Sequence, residues 1–218
     1  MLELQNISFS YRDRKKKTVV PVINGWSASF EKGNIYAIYG VSGAGKTTCL
    51  SIMGGLEKPD QGKVLIDGSQ IQEIGYQRVR REKVSYVFQD YQLFPYMTAL
   101  ENVMVAIRIS HPKETRAKQK ERSVVALEQM GLTEDKQNRT VRRLSGGEQQ
   151  RVAIARAIVN DHDYILADEP TGNLDDTNTE HIMQLLNMIA HDYQKCVVVV
   201  THSDYVRLCC DREIKLGD

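Results

Sequence analysis

The chain has 218 residues, and its 29 basic side chains nearly balance 28 acidic ones for a formal net charge of +1. That length buries a sizeable core without disulfide or metal staples, and a chain 41% hydrophobic and 26% charged is not wholly disordered. The charge balance excludes a globally basic nucleic-acid binder. No purely apolar run is longer than that of Cys196–Val200, which falls far short of the roughly 18–20 residues that cross a bilayer.

In chain order, Met1–Asn6 shows no cationic or apolar leader, so a cytosolic protein is expected. Leu2, Leu4, Ile7 and Phe9 alternate as strand residues do. The basic run Arg12–Lys17 reads as a solvated hairpin tip. Asn34–Gly40 reads as a buried strand, a glycine-rich turn follows, and Gly45–Met53 reads as a helix. Val64–Ile66 and Val84–Phe88 are short strands.

Thr98-Ala99-Leu100-Glu101 is a capping box, in which a hydroxyl and a carboxylate three residues apart satisfy each other's backbone N–H groups. It predicts a helix to about Ile109, which His111-Pro112 breaks. Lys113–Met130 predicts a second helix, stopped by Gly131. Ser145-Gly146-Gly147-Glu148 is another capping box and predicts a helix to about Val159. Strand character returns at Tyr164–Ala167 and Cys196–Thr201, and Ile182, Leu185, Leu186 and Ile189 mark one helix face between them. The expected architecture is an α/β core with an inserted helical subdomain at about residues 90–158. Cys49, Cys196, Cys209 and Cys210 stand in no metal-ligand spacing and are expected to be reduced, buried thiols.

Gly40-Val41-Ser42-Gly43-Ala44-Gly45-Lys46-Thr47 fits GxxxxGK[ST] between a predicted strand and a predicted helix. Glycines there let backbone N–H groups close around phosphate oxygens, and the helix N-terminus adds positive potential. Lys46 would meet the β/γ-phosphates, and the Thr47 hydroxyl would ligate Mg²⁺. Downstream, the apolar strand Tyr164–Ala167 ends in Asp168-Glu169. Asp168 is placed to hold Mg²⁺ through water, and Glu169, expected to point differently by strand alternation, to orient or deprotonate the attacking water.

Leu144-Ser145-Gly146-Gly147-Glu148-Gln149-Gln150-Arg151 resembles the signature motif of the ATP-binding cassette (ABC) ATPases, and the resemblance runs from end to end of the chain. Gln89 matches that family's Q-loop, Asn173-Leu174-Asp175 its D-loop, His202 its switch histidine and Tyr11 its adenine-stacking aromatic. The resemblance implies a single ABC ATPase domain over residues 1–218. Its P-loop core would span about 1–89 and 159–218, with an antiparallel β subdomain and the helical subdomain at about 90–158. It implies ATP bound by Tyr11, Gly40, Ser42, Gly43, Ala44, Gly45, Lys46, Thr47 and Thr48. In trans, Ser145, Gly146, Gly147, Glu148 and Asp175 of a second copy would complete the site of a head-to-tail homodimer. Glu169, His202, Gln89 and Lys46 are the implied catalytic residues, and Thr47, Gln89 and Asp168 the implied Mg²⁺ ligands. The capping box agrees with an anion site at Ser145, because it opens a helix with free N–H groups and a positive dipole end. No Asn-Lys-x-Asp guanine-reading motif occurs, which favours ATP over GTP.

Ala167–Asp175 and Leu93–Val103 resemble the lipoprotein-release, macrolide-export, antimicrobial-peptide-resistance and cell-division branch. That resemblance implies a cytoplasmic subunit, peripheral on the inner face of the membrane, that drives a separate permease docked near Gln89–Met97. No membrane insertion and no nucleic-acid partner are expected. A regulatory ATPase of cell division, acting with a membrane partner without transport, is the alternative.

Overall fold

The computed structural model describes residues 1–13 and 18–217. Most of the basic run expected at a hairpin tip, residues 14–17, therefore lies outside the described residues. The strands are β1 (Leu2–Asp13), β2 (Thr18–Phe30), β3 (Asn34–Tyr39), β4 (Gln61–Ile66), β5 (Ser69–Gln70), β6 (Val84–Val87), β7 (Tyr164–Asp168), β8 (Cys196–Val200) and β9 (Arg212–Lys215). The helices are α1 (Lys46–Met53), α2 (Ile71–Ile74), α3 (Tyr76–Glu82), α4 (Ala99–Ser110), α5 (Arg116–Gln129), α6 (Glu134–Gln137), α7 (Gly146–Ile158), α8 (Asp176–His191) and α9 (Asp204–Leu208).

The apolar run of β8 explains the layering. Strand side chains alternate, so Val197 and Val199 face one core while Cys196, Val198 and Val200 face another. Its neighbours do the same: Ile165 and Ala167 of β7 go one way, Tyr164 and Leu166 the other. A strand buried on both faces reads as a continuous apolar run and belongs in a parallel sheet. The observed sheet has the order β6-β7-β8-β3-β9, and every pairing in it is parallel. On one face α4, α5, α7, α8 and α9 supply Val103, Leu127, Ile154, Leu186 and Val206 to a single cluster. On the other, α1 and an antiparallel sheet of order β2-β1-β4-β5 close over Tyr36 and Ile38.

Local signals set the helix ends. The capping boxes at Thr98/Glu101 and Ser145/Glu148 are both complete. Gly131 takes φ +70° just beyond α5, the left-handed stop that glycine adopts without steric cost. α5 itself begins three residues later than expected, because Thr115 is the cap and its hydroxyl accepts from Lys118 N. Of the four thiols, Cys49 and Cys196 are buried as expected, whereas Cys209 and Cys210 are only partly so. Burial pushes the Cys196 and Cys210 thiols up to about 12, so both stay protonated and unreactive at neutral pH.

Candidate functional site

Because β3, β6, β7 and β8 run parallel, their carboxyl ends open on one edge of the sheet, where ligands of such sheets bind. Ile38, Asp168 and Val200 lie level in the ladder. The segments that follow bring Gly40–Gly45, Gln89, Glu169 and His202 to one place. A cleft of about 800 Å³ results, lined by Tyr11, Val22, Ser42, Gly43, Gly45, Lys46, Thr47, Thr48, Gln89, Glu169, Val200 and His202. Most of the residues singled out in the sequence share it. Val22 was not among them. It approaches Gly45 so closely that a Cβ there would sit 2.4 Å from the valine Cγ1, which with φ +88° makes glycine obligatory.

Gly45 caps α1 with no side-chain hydrogen bond, so the first N–H groups of the helix have no side-chain acceptor at that cap. Lys46 Nζ donates to the carbonyls of Gly40 (2.9 Å) and Val41 (3.2 Å), which hold the ammonium over the loop. The turn therefore presents a fixed cation and a positive helix end together, a cradle for an anion. Thr47 Oγ1 donates to Asp168 Oδ1 at 3.2 Å. Burial raises the Asp168 carboxyl above its usual range, opposed by the Thr47 hydroxyl and the Lys46 charge. A desolvated carboxylate beside a hydroxyl is a site that gains from a bound cation.

Glu169 points away from the strand for a different reason than alternation. Its φ is +45°, so the strand has ended and the backbone has turned left-handed, a conformation that non-glycine residues adopt at a cost of about 1–2 kcal/mol. This turns the carboxylate toward His202, whose Nδ1–H donates to Glu169 Oε1 at 2.7 Å. A carboxylate only accepts, which fixes the proton on Nδ1. Glu169 is largely buried (13% side-chain exposure) and His202 open to solvent (72%), so the pair spans the wall of the cleft from inside to mouth.

Tyr11 is half exposed, with its hydroxyl 3.0 Å from Thr48 Oγ1 and its ring edge-on to Phe9. Gln89 extends into the same cleft, and its carbonyl receives Asn173 Nδ2 at 3.4 Å.

Ser145–Glu148 contribute nothing to the lining of this cleft. Ser145 is exposed at the start of α7, with its hydroxyl occupied by Glu148 N. Gly147 is buried, and a Cβ there would meet Asn178 Oδ1 at 2.2 Å, so it admits the start of α8 against α7. Glu148 closes the capping box and pairs with Lys136 at 2.8 Å, which lowers its carboxyl below the usual range. Asp175 caps α8 by accepting from Asn178 N. Of the group expected to act across a dimer, Ser145 and Gly146 are open to solvent at least in part, while Glu148 and Asp175 are engaged within the chain.

Beside Gln89, the loop Leu93–Met97 is only partly tucked into the core. Leu93 packs inward, but Phe94, Tyr96 and Met97 are 48%, 78% and 36% exposed. The brace is Asn102, a fully buried residue of α4 that the sequence did not single out. Its amide accepts from Phe94 N (2.7 Å) and donates to Phe94 O (3.2 Å) and Thr98 O (2.9 Å). With its backbone satisfied, the loop holds its apolar side chains outward. Arg142 stacks its guanidinium 4.3 Å from the Tyr96 ring centroid.

Comparison with known proteins accords with this geometry. The family profile described as ABC transporter matches residues 23–172. YclH of Bacillus subtilis, an uncharacterised ABC transporter ATP-binding protein, is 42% identical over all of this chain and 93% of its own length. The lipoprotein-releasing system ATP-binding protein LolD of Bacteroides thetaiotaomicron is 39% identical over 100% of this chain and 97% of its own. The chain also matches 30% of the length of the macrolide export ATP-binding/permease protein MacB of Syntrophobacter fumaroxidans, at 36% identity over all of its own residues. Among solved structures, the cassette MJ0796 of Methanocaldococcus jannaschii, dimeric and bound to ADP and Pi after hydrolysis, superposes with a TM-score of 0.90 at 36% identity, over 100% of this chain and 94% of that one.

Proposed function

This chain belongs to the ATP-binding cassettes of ABC transporters, and from that premise we propose that it is the subunit that powers a separate membrane permease, in export, lipoprotein release or peptide resistance. It is an ATPase, converting ATP and water to ADP and phosphate. The observation that carries the coupling is the exposed apolar loop Phe94–Met97, braced on Asn102 and starting five residues beyond Gln89. An apolar patch with a polar rim is what a partner surface looks like. We infer that a short cytoplasmic helix of the permease docks there and holds the ATPase to the inner face of the membrane.

The residues divide the work. The loop Gly40–Gly45 and the start of α1 bind phosphates through backbone N–H groups, with Lys46 offsetting their charge. Thr47, Asp168 and Gln89 offer hydroxyl, carboxylate and amide oxygens, an all-oxygen set that fits Mg²⁺, which when bound neutralises charge on the phosphates. Glu169 positions or deprotonates the attacking water. His202 orients Glu169 through the Nδ1 hydrogen bond and meets the γ-phosphate with its free edge. Ser145 and Gly146, outside the cleft of their own chain, complete the site of a second copy.

Phe94→Asp tests the docking surface. The Phe94 side chain is half exposed and Asn102 grips only its backbone, so the variant should fold and keep its basal ATPase rate. It should lose co-purification with the permease. An intact complex would place the docking surface elsewhere.

Tyr11→Ala tests the adenine platform. Stacking on an aromatic contributes about 1–3 kcal/mol per base, so ATP and ADP should both weaken by roughly tenfold in a fluorescence titration, and Tyr11→Phe should not weaken either. A loss confined to ATP would show that the ring does not hold the adenine.

A further inference from the structure

The loop that carries Gln89 holds a conformation that its own sequence disfavours. Tyr91 and Gln92 are consecutive non-glycine residues with φ +59° and +48°. L-residues avoid this region because Cβ crowds the following carbonyl. Such a conformation persists only where the surroundings over-determine it.

Backbone bonds from Tyr91 N to Phe88 O and from Gln92 N to Asp90 O shape the turn, and one side chain from outside the loop grips its two carbonyls. Arg156, near the end of α7, donates from one guanidinium nitrogen to Tyr91 O at 2.7 Å and from the other to Gln92 O. Two nitrogens held in one plane each meet one of two adjacent carbonyls, a fork that the single nitrogen of an ammonium does not reproduce. Burial lowers the Arg156 pKa, and among the described residues no carboxylate pairs with it. A partly buried cation whose hydrogen bonds go to these two carbonyls ties its own stability to the shape of the loop.

The other end of α7 touches the same loop. A Cβ on Gly146 would lie 3.2 Å from the Tyr91 hydroxyl, so the tyrosine reaches back to the first turn of the helix. Tyr91 therefore meets both ends of α7, the helix that begins after Ser145: its carbonyl is bonded by Arg156, and its hydroxyl lies against Gly146.

We propose that Arg156 is a positioning residue: by holding the carbonyls of Tyr91 and Gln92 it keeps Gln89 directed into the cleft and makes the Gln89 loop and the Ser145 end of α7 move as one body. The proposal rests on the reading of Gln89 as a Mg²⁺ and γ-phosphate contact. It gives that contact a route to the surface offered to the second chain, through a single rigid helix.

The experiment measures steady-state ATPase rates of the full chain against MgCl₂ concentration, with melting temperature recorded alongside. Gln89→Ala, Arg156→Ala and Arg156→Lys are compared with the unaltered protein. Å-scale misplacement of a reacting group costs up to about a hundredfold in rate. Arg156→Ala should therefore lower kcat by about tenfold or more and raise the MgCl₂ concentration for half-maximal rate, in the direction of Gln89→Ala. Arg156→Lys, which keeps the charge but not the fork, should fall between and replaces the alanine variant if that one does not fold. Adding Gln92→Gly to Arg156→Ala should recover part of the rate, because glycine holds the left-handed backbone unaided. If Gln89→Ala moves neither kcat nor the MgCl₂ requirement, the reading of Gln89 falls and the proposal with it. If Gln89→Ala moves both and the Arg156 variants move only the melting temperature, Gln89 keeps its role and the clamp is overturned. Absence of any recovery with Gln92→Gly would also overturn it.

Discussion

Glu169→Gln is expected to cut ATP hydrolysis by roughly 10²- to 10⁴-fold, the range that a positioned general base contributes, while leaving ATP affinity intact. The geometry makes this a clean substitution. The glutamine amide keeps an oxygen where Glu169 Oε1 accepts from His202 Nδ1, so the local hydrogen bond and the left-handed turn survive. What is removed is the charge and basicity that act on water. Binding contacts lie on other residues, chiefly the loop before α1, and remain. Binding energy that closes a dimer is then no longer released by cleavage, so the variant should accumulate as an ATP-bound dimer. Phosphate-release assays and size-exclusion chromatography with and without ATP read both effects. Normal turnover by a variant that stays monomeric would remove Glu169 from this role.

The parts of this fold that were legible in the sequence are those fixed by neighbours along the chain. The two capping boxes, the left-handed Gly131 and the phosphate-loop glycines each state a backbone requirement within a few residues. The unbroken apolar run Cys196–Val200, buried at every position, was legible as a strand for the same reason. β2 was not read as a strand, because most of Thr18–Phe30 is exposed or half-exposed, it contains Pro21 and Gly25, and register shifts interrupt its pairing with β1. α2 and α3 are short and bury only Ile71 and Val79 respectively, too little to set a period.

The site divides along the same line. Lys46, Thr47 and Asp168 sit in recognisable local patterns. Arg156 and Tyr91 are 65 positions apart, and nothing near either predicts the bond between them. The left-handed turn at Glu169 is hidden too, since glutamate has no sequence preference for it. Asn102 lies within a helix that already reads well from its cap. Its brace on Phe94 appears only once the loop has folded back over the first turn of α4.

Mixing two inactive variants is expected to restore activity that neither has alone. Ser145→Arg places a bulky cation at the start of α7, where a second chain's γ-phosphate would approach. Ser145 is exposed, so the fold loses an N-cap, a cost of about 1 kcal/mol, without burying the arginine. Lys46→Ala removes the ammonium held over the phosphate loop. Each homodimer then carries one lesion in both of its composite sites, and hydrolysis should collapse in both. In a mixed dimer the lesions fall together. The site with the Lys46→Ala loop also receives Ser145→Arg, and the remaining site pairs an intact loop with an intact Ser145. Random pairing of equal amounts leaves half of the dimers mixed, each with one whole site, so the mixture should reach roughly a quarter of the unaltered rate in a symmetric, independent-site dimer. If each chain instead used its own Ser145, every chain in the mixture would carry a lesion and no activity would return. The cleft geometry predicts recovery, because Ser145–Glu148 stand outside the lining that their own phosphate loop helps to form.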